Sequence, residues 1–154
     1  MPTVSSIMTR DVRVLAPTDS LRRAAQLMEE LNVGVIPVCN GKKLVGMVTD
    51  RDITLRGVAK GLGVEDTPLS VIMTEEVLWC FEDQPVSEVM EKMGDAQVRR
   101  LPVVDREKHL VGILSLGDIA AKADGKSVGA VLQDISETSS PERTSTPAAS
   151  QSGG

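Results

Sequence analysis

Two short polar clusters in this chain have residue types suited to binding chemistry, and they match each other. One is Thr49-Asp50-Arg51-Asp52, directly after Gly46-Met47-Val48. The other is Ser115-Leu116-Gly117-Asp118, directly after Gly112-Ile113-Leu114. In each, a hydroxyl and a carboxylate stand three residues apart, where an apolar β-rich run gives way to a helical pattern. Ser/Thr-x-x-Asp resembles a helix capping box, although Glu or Gln is the usual third-residue partner. The same geometry suits a ligand. A carboxylate in a first helical turn can accept two hydrogen bonds from the vicinal hydroxyls of a ribose, while the Ser or Thr hydroxyl and the N–H groups of the helix start can donate to a phosphate. The two roles are compatible, because each oxygen has more than one lone pair.

Other reactive chemistry is thin. His109 is the only histidine; it lies in a predicted turn with no Cys or second His nearby, so no metal site is expected. Without a second histidine or a base–nucleophile pair, no catalytic residues are expected, and the chain is not read as an enzyme. Cys39 and Cys80 form no CxxC and read as free, mostly buried thiols of a cytoplasmic protein. Ala120 to Ser127 matches a loose phosphate-loop pattern, but it follows a predicted helix rather than a strand; Gly125 reads as a helix stop and Ser127 as the next N-cap.

Composition narrows the classes further. Apolar residues make up 41% and charged residues 25% of the 154, ordinary for a globular chain. The net charge is −5, and one Trp and one Phe are the only aromatics. Clustered cations for a phosphate backbone and aromatics for base stacking are both missing, so no nucleic-acid partner is expected. No stretch is apolar enough to span a bilayer and the first residues lack an apolar signal region, so no membrane partner is expected either.

The elements that must position the clusters come as an internal repeat. A shift of 65 places Ile7-Met8-Thr9 on Ile72-Met73-Thr74, Met28 on Met93, Val33 on Val98 and Pro37-Val38 on Pro102-Val103. One insertion later, a shift of 66 places Leu44-Val45-Gly46 on Leu110-Val111-Gly112 and Asp52-Ile53 on Asp118-Ile119. The insertion falls between two apolar runs, at Asn40–Lys43 and Asp105–His109, both of which read as hairpin loops. Each copy has an opening turn (5–9; 70–74), a short strand (13–15; 78–81), a helix, two β-rich runs (33–39 with 44–49; 98–104 with 110–115) and a second helix starting near Asp50 or Leu116. Leu21, Ala24, Ala25, Met28 and Leu31 supply the apolar stripe of the first long helix, and Val86, Val89, Met90 and Met93 that of the second. Trp79 and Phe81 read as core residues, and residues 57–69 as the linker. Single copies of this size are marginal, so one cooperative pair is expected. After a short helix over 127–135, residues 136–154 are Ser/Thr/Pro-rich and predicted to be disordered.

The ordered set, occurring twice, resembles the CBS-domain family over roughly residues 4–121. It comprises Ile-Met-Thr, the triplets Ile36-Pro37-Val38 and Leu101-Pro102-Val103, and the two G-h-x-[ST]-x-x-D endings. The chain is most similar to short bacterial proteins that consist of a CBS pair and little else. The resemblance implies an α/β fold, a tandem pair of β-α-β-β-α repeats (1–65 and 66–135) packed sheet-to-sheet with pseudo-two-fold symmetry. It also implies two sites in the cleft between repeats for an adenosyl ligand such as AMP, ADP or ATP. One would use Ser115 and Asp118 for ribose and phosphate, Met8, Thr9, Val12, Val33, Gly34 and Ile36 around the base, and Arg99 and Arg100 near the phosphates. The other would use Thr49, Arg51 and Asp52, with Met73, Thr74, Val77, Val98 and Leu101 around the base. Arg99-Arg100 stands where the first copy has Gly34-Val35, so a charged nucleotide should prefer the Asp118 site. The expected function is a non-catalytic regulatory module. It would be a homodimer that needs no cofactor and signals ligand occupancy to an unknown protein partner. The alternative is a ligand-free interaction scaffold.

Overall fold

A computed structural model describes residues 2–122 of the 154. The short helix expected over 127–135, the tail over 136–154, and Gly125 and Ser127 of the rejected phosphate loop lie outside the described residues. The chain divides into two compact units, and these are not the two sequence repeats. One unit combines residues 2–12 with 78–122; the other is residues 13–77. Each repeat's opening segment therefore belongs to the unit built by the other repeat.

In the 13–77 unit, α2 (Leu21–Leu31) is followed by a hairpin of β1 (Val35–Asn40) and β2 (Lys43–Thr49). A helical run follows without a break: α3 (Asp50–Asp52), a π segment (Ile53–Gly57) and a 3-10 turn (Val58–Lys60). The short α4 (Leu69–Ile72) closes the unit. The other unit repeats the plan with β3 (Cys80–Phe81), α5 (Val86–Ala96), β4 (Arg100–Val104), β5 (Leu110–Ser115) and α6 (Leu116–Lys122), and takes α1 (Val4–Ile7) as its opening turn. The order of elements is the one the sequence predicts. No helix among the described residues is long and apolar enough to cross a membrane.

The matching extends to single hydrogen bonds. The Val4 N–H bonds the Gln84 carbonyl at 3.0 Å, and the Leu69 N–H bonds the Asp19 carbonyl at 2.8 Å. The Val86 N–H bonds the Pro2 carbonyl at 2.9 Å, and the Leu21 N–H bonds the Thr67 carbonyl at 3.3 Å. Both long helices end on a non-glycine residue in the left-handed region, Asn32 (φ 54°) and Gln97 (φ 59°). Both hairpins shift register after the same valine, Val38 and Val103.

Three expectations are corrected. The first strand of the first repeat shrinks to a single parallel bridge, Leu15 to Val38, whereas β3 pairs in parallel with β4 over two residues. Pro17 explains the difference. Its counterpart Glu82 extends the ladder by donating to the Val104 carbonyl at 3.0 Å, and proline has no N–H to do so. Gly57 is no linker residue: it lies buried in the helical run, where a Cβ would meet the Leu21 side chain at 2.7 Å. Leu27, at 1% exposure, fills the stripe of α2 where Ala25 was expected, and Ala25 is exposed.

Each unit has its own apolar core. Leu15, Leu21, Leu27, Ile36, Val48, Leu69 and Ile72 form one, and Val4, Ile7, Val86, Met93, Leu101, Leu114 and Ile119 lead the other. Trp79 and Phe81 are half-buried rather than core. They meet edge to face at 4.9 Å, and the Arg106 guanidinium sits 3.9 Å above the Phe81 ring. Cys39 and Cys80 are free and buried, as expected.

Candidate functional site

The two polar clusters fold as capping boxes. The Thr49 hydroxyl accepts from the Asp52 N–H at 2.9 Å, and the Asp52 carboxylate accepts from the Thr49 N–H at 3.0 Å. In the second unit the Ser115 hydroxyl accepts from the Asp118 N–H at 3.0 Å, and the Asp118 carboxylate accepts from the Ser115 N–H at 3.2 Å. In both clusters the shorter Asp takes the place that Glu usually fills in this motif.

A third group completes each cluster, and it comes from the opening segment. The Thr9 hydroxyl donates to the Asp118 carboxylate at 3.2 and 3.3 Å. The Thr74 hydroxyl lies 3.3 and 3.5 Å from the Asp52 carboxylate oxygens. Backbone bridges hold these threonines in place. Thr9 and Ile113 exchange two N–H to carbonyl bonds at 2.9 Å each; Thr74 and Met47 do the same at 2.8 and 2.9 Å. The strand glycines make the approach possible. A Cβ on Gly112 would lie 2.7 Å from the Thr9 carbonyl oxygen and from the Met8 sulfur, and a Cβ on Gly46 would lie 2.7 Å from the Thr74 carbonyl oxygen. The motif Gly-h-x-[ST]-x-x-Asp and the motif Ile-Met-Thr are thus two halves of one site in each unit.

A cation then caps the opening turn. The Arg56 guanidinium reaches the Ile72 carbonyl at 3.4 Å, with its Nε 3.7 Å from Asp52 Oδ1. Lys122, the counterpart of Arg56, reaches the Ile7 carbonyl at 3.4 Å. Neither cation is marked by a sequence motif; only the repeat shift of 66 aligns them. The sites differ in access: the Asp52 side chain is 5% exposed, whereas Asp118 is only half-buried.

The remaining predicted residues fall as follows. Met8 is buried, Thr9 is exposed and Val12 is half-buried, all in the Asp118 unit with Arg99 (exposed) and Arg100 (half-buried). The Arg99 carbonyl accepts from the Leu116 N–H at 3.0 Å, which ties Arg99 to the start of α6. Arg51, Met73, Thr74 and Val77 are half-buried in the Asp52 unit. Val33, Gly34 and Ile36 belong to the Asp52 unit and Val98 and Leu101 to the Asp118 unit. Of these, Ile36 and Leu101 are each 1% exposed, within their own cores.

His109 packs its ring against the charged residues of its own turn. Its Nδ1 lies 3.4 Å from Asp105 and 3.5 Å from Glu107, and the ligand atoms of all three lie within 4.8 Å of one another. The Asp105 carboxylate also accepts the His109 and Glu107 N–H groups at 2.9 Å each. Chiefly the bond from the His109 N–H, with that from Glu107, holds the Asp105 carboxyl below its ordinary range. These bonds close the β4–β5 turn.

The CBS-domain family model matches residues 4–57 and 64–125. The chain belongs to the CBS-domain family. The CBS domain-containing protein YhcV of Bacillus subtilis is 39% identical over 137 residues, covering 88% of this chain and 96% of its own. Among solved structures, CBSX2 in complex with AMP aligns with a TM-score of 0.66 at 27% identity, covering 86% of this chain and 98% of CBSX2. The CBS pair of MJ0100 in complex with 5′-methylthioadenosine and S-adenosyl-L-methionine aligns with a TM-score of 0.64 at 29% identity, covering 79% of this chain and 94% of that one. The fold is α/β with tandem CBS repeats, as the sequence predicts, and a regulatory ligand-binding module is the class these relatives support.

Proposed function

We propose that this CBS pair is a non-catalytic module that binds an adenosyl ligand at its carboxylate sites and passes occupancy to a partner protein. One observation carries the reading. Each unit fixes a carboxylate beside a hydroxyl at a strand-to-helix junction, and the Asp118 carboxylate keeps lone pairs beyond those taken by Ser115 and Thr9. A half-buried carboxylate with spare acceptor capacity suits the two hydroxyls of a ribose, and Ser115 with the nearby arginines suits a phosphate. The adenosyl ligands in the related CBSX2 and MJ0100 structures support the ligand class.

Thermal unfolding with AMP, ATP, 5′-methylthioadenosine and S-adenosylmethionine tests the proposal. A ligand at a hundred times its Kd adds about 2.7 kcal/mol to the folded state, several degrees for a chain of this size. The expected result is a rise with at least one of the four that is lost or reduced in Asp118→Asn. No rise with any of them, on a well-folded protein, turns the reading to a ligand-free scaffold.

A further inference from the structure

We infer that the two carboxylate sites take ligands of different charge: the Asp118 site an anionic, phosphorylated adenosyl ligand, and the Asp52 site an uncharged or cationic one. This rests on the adenosyl reading and adds the charge class at each site. The two units differ at matched positions. Thr9, which donates to Asp118, is followed by Arg10 and Asp11; Thr74, which donates to Asp52, is followed by Glu75 and Glu76. The Arg10 guanidinium is exposed and held by the Ser5 carbonyl at 3.0 Å.

The strand side repeats the contrast. Arg99, whose carbonyl is bonded to the first residue of α6, has no side-chain partner among the described residues. Its counterpart Gly34 is bonded in the same way to Asp50, at 3.0 Å. Asp50 turns its carboxylate over that glycine, with Oδ2 3.2 Å from where a Cβ would stand. One unit thus puts a cation where the other makes room for a carboxylate.

The segments that build the Asp118 site carry the cations Arg10, Arg99, Arg100 and Lys122 and, beside Asp118, one further carboxylate, Asp11: four positive charges against two negative, a net +2. The segments that build the Asp52 site carry Arg51, Arg56, Asp50, Glu75 and Glu76 beside Asp52 itself: two positive against four negative, a net −2. Arg56 is moreover engaged by Asp52 and the Ile72 carbonyl. Arg10, Asp11, Glu75 and Glu76 directly follow the site threonines, Arg99 and Asp50 lie at the hydrogen-bonded start of the site helix, and charges screen one another only beyond about 8 Å at physiological salt. A reversal of local field on that scale sorts ligands by charge while leaving the shared ribose contacts alike.

The test uses the full chain, isothermal titration calorimetry and three probes: AMP, adenosine and S-adenosylmethionine. Asp52→Asn leaves the Asp118 site intact, and Asp118→Asn leaves the Asp52 site; asparagine keeps an oxygen to accept the cap N–H. Asp52→Asn should bind AMP at least about tenfold tighter than adenosine (about 1.4 kcal/mol), with the preference shrinking at high salt. Asp118→Asn should bind adenosine or S-adenosylmethionine at least about tenfold tighter than AMP. If Asn at either site unfolds the protein, Asp50→Asn with Glu75→Gln in the wild-type background reads the same property, as a gain in AMP affinity at the weaker site without a gain for adenosine. AMP-to-adenosine ratios that agree within about threefold at the two sites, or no gain in the charge-neutralised variant, overturn the inference while leaving the adenosyl reading standing. Failure of the wild type to bind any of the three probes, or ATP or 5′-methylthioadenosine, overturns both.

Discussion

Replacing Gly112 by alanine should break the junction between the opening segment and β5. The added Cβ would stand 2.7 Å from the Met8 sulfur and 2.7 Å from the Thr9 carbonyl oxygen, closer than real Cβ atoms essentially ever approach, and 3.1 Å from Met8 Cγ, a tight contact. The methionine side chain can swing away. The Thr9 carbonyl cannot, because it accepts the Ile113 N–H at 2.9 Å while the Thr9 N–H bonds the Ile113 carbonyl at 2.9 Å. Overpacking of this kind costs about 1–3 kcal/mol, and loosening two backbone hydrogen bonds about 1 kcal/mol each. Alanine returns roughly 0.5–1 kcal/mol of backbone entropy, which leaves a net loss of about 2–4.5 kcal/mol. That corresponds to a fall in Tm on the order of 10 °C. Gly117→Ala is the control of opposite sign: its Cβ meets only the Ser115 hydroxyl, at 3.6 Å, an ordinary contact, inside α6. Helix propensity there favours alanine by up to about 1 kcal/mol. Urea and thermal unfolding of both variants give the comparison. A Gly112→Ala protein within about 0.5 kcal/mol of wild type, the scatter of neutral surface changes, would refute the view that this glycine admits the opening segment.

Removing the two carboxylates should not cost the same. Asp52→Ala leaves the buried Thr49 N–H without its partner and should lose about 2–3 kcal/mol, whereas Asp118→Ala, at a wetter site, should lose about 1 kcal/mol; equal losses in urea unfolding would contradict the difference in burial. Pro17→Glu supplies the missing N–H opposite Cys39, so its new amide should show hydrogen-exchange protection comparable to that of Glu82, and exchange at the free-chain rate would count against the explanation given for the shortened strand. Burial pushes the Cys80 thiol from its ordinary value near 9 up to about 12, with Lys92 partly opposing the shift. The neutral thiol is therefore kept in the fold while the unfolded chain ionises, so stability should decline as pH rises from about 9 toward 12. Cys80→Ala should flatten that decline relative to wild type, and an unchanged slope would show that other groups cause it.

Pro37 and Pro102, the hairpin loops and the two S/T-x-x-D endings were legible because local chemistry fixes them: turn residues, apolar runs and a cap at a strand end. Leu27 was missed in favour of Ala25 because both fit a helical stripe, and only the tertiary partner decides which is covered. Trp79 and Phe81 were misjudged because an aromatic suggests burial, whereas here the pair lies half-exposed with Arg106 stacked on Phe81. Arg56 and Lys122 carried no sequence signal, since a cation at a helix end is common; their role appears only once each is seen on the carbonyl of an opening turn.

The exchange of opening segments was legible only through the family resemblance, which pairs Met8 and Thr9 with Asp118 and Met73 and Thr74 with Asp52; the residue pattern alone does not give it. Two copies of Ile-Met-Thr and two copies of the Gly-to-Asp ending give the same pattern whether each pairs within its repeat or with the other, and no local energy distinguishes the two. The consequence can be measured on two fragments of equal length. Residues 13–77 hold Thr49, Asp52, Met73 and Thr74, and with them Leu69 and Ile72, which are 0% and 1% exposed in that unit's core. Residues 1–65 hold the same hairpin and helices but neither of those side chains, each of which contributes about 1.5–3 kcal/mol when buried. For a chain of that size, near the limit of independent stability, such a loss is decisive. The 13–77 fragment should therefore show more helix by circular dichroism and a higher urea midpoint than 1–65. The opposite order would mean that each repeat can close on its own opening segment, and that the pairing of Thr74 with Asp52 is not what completes the unit.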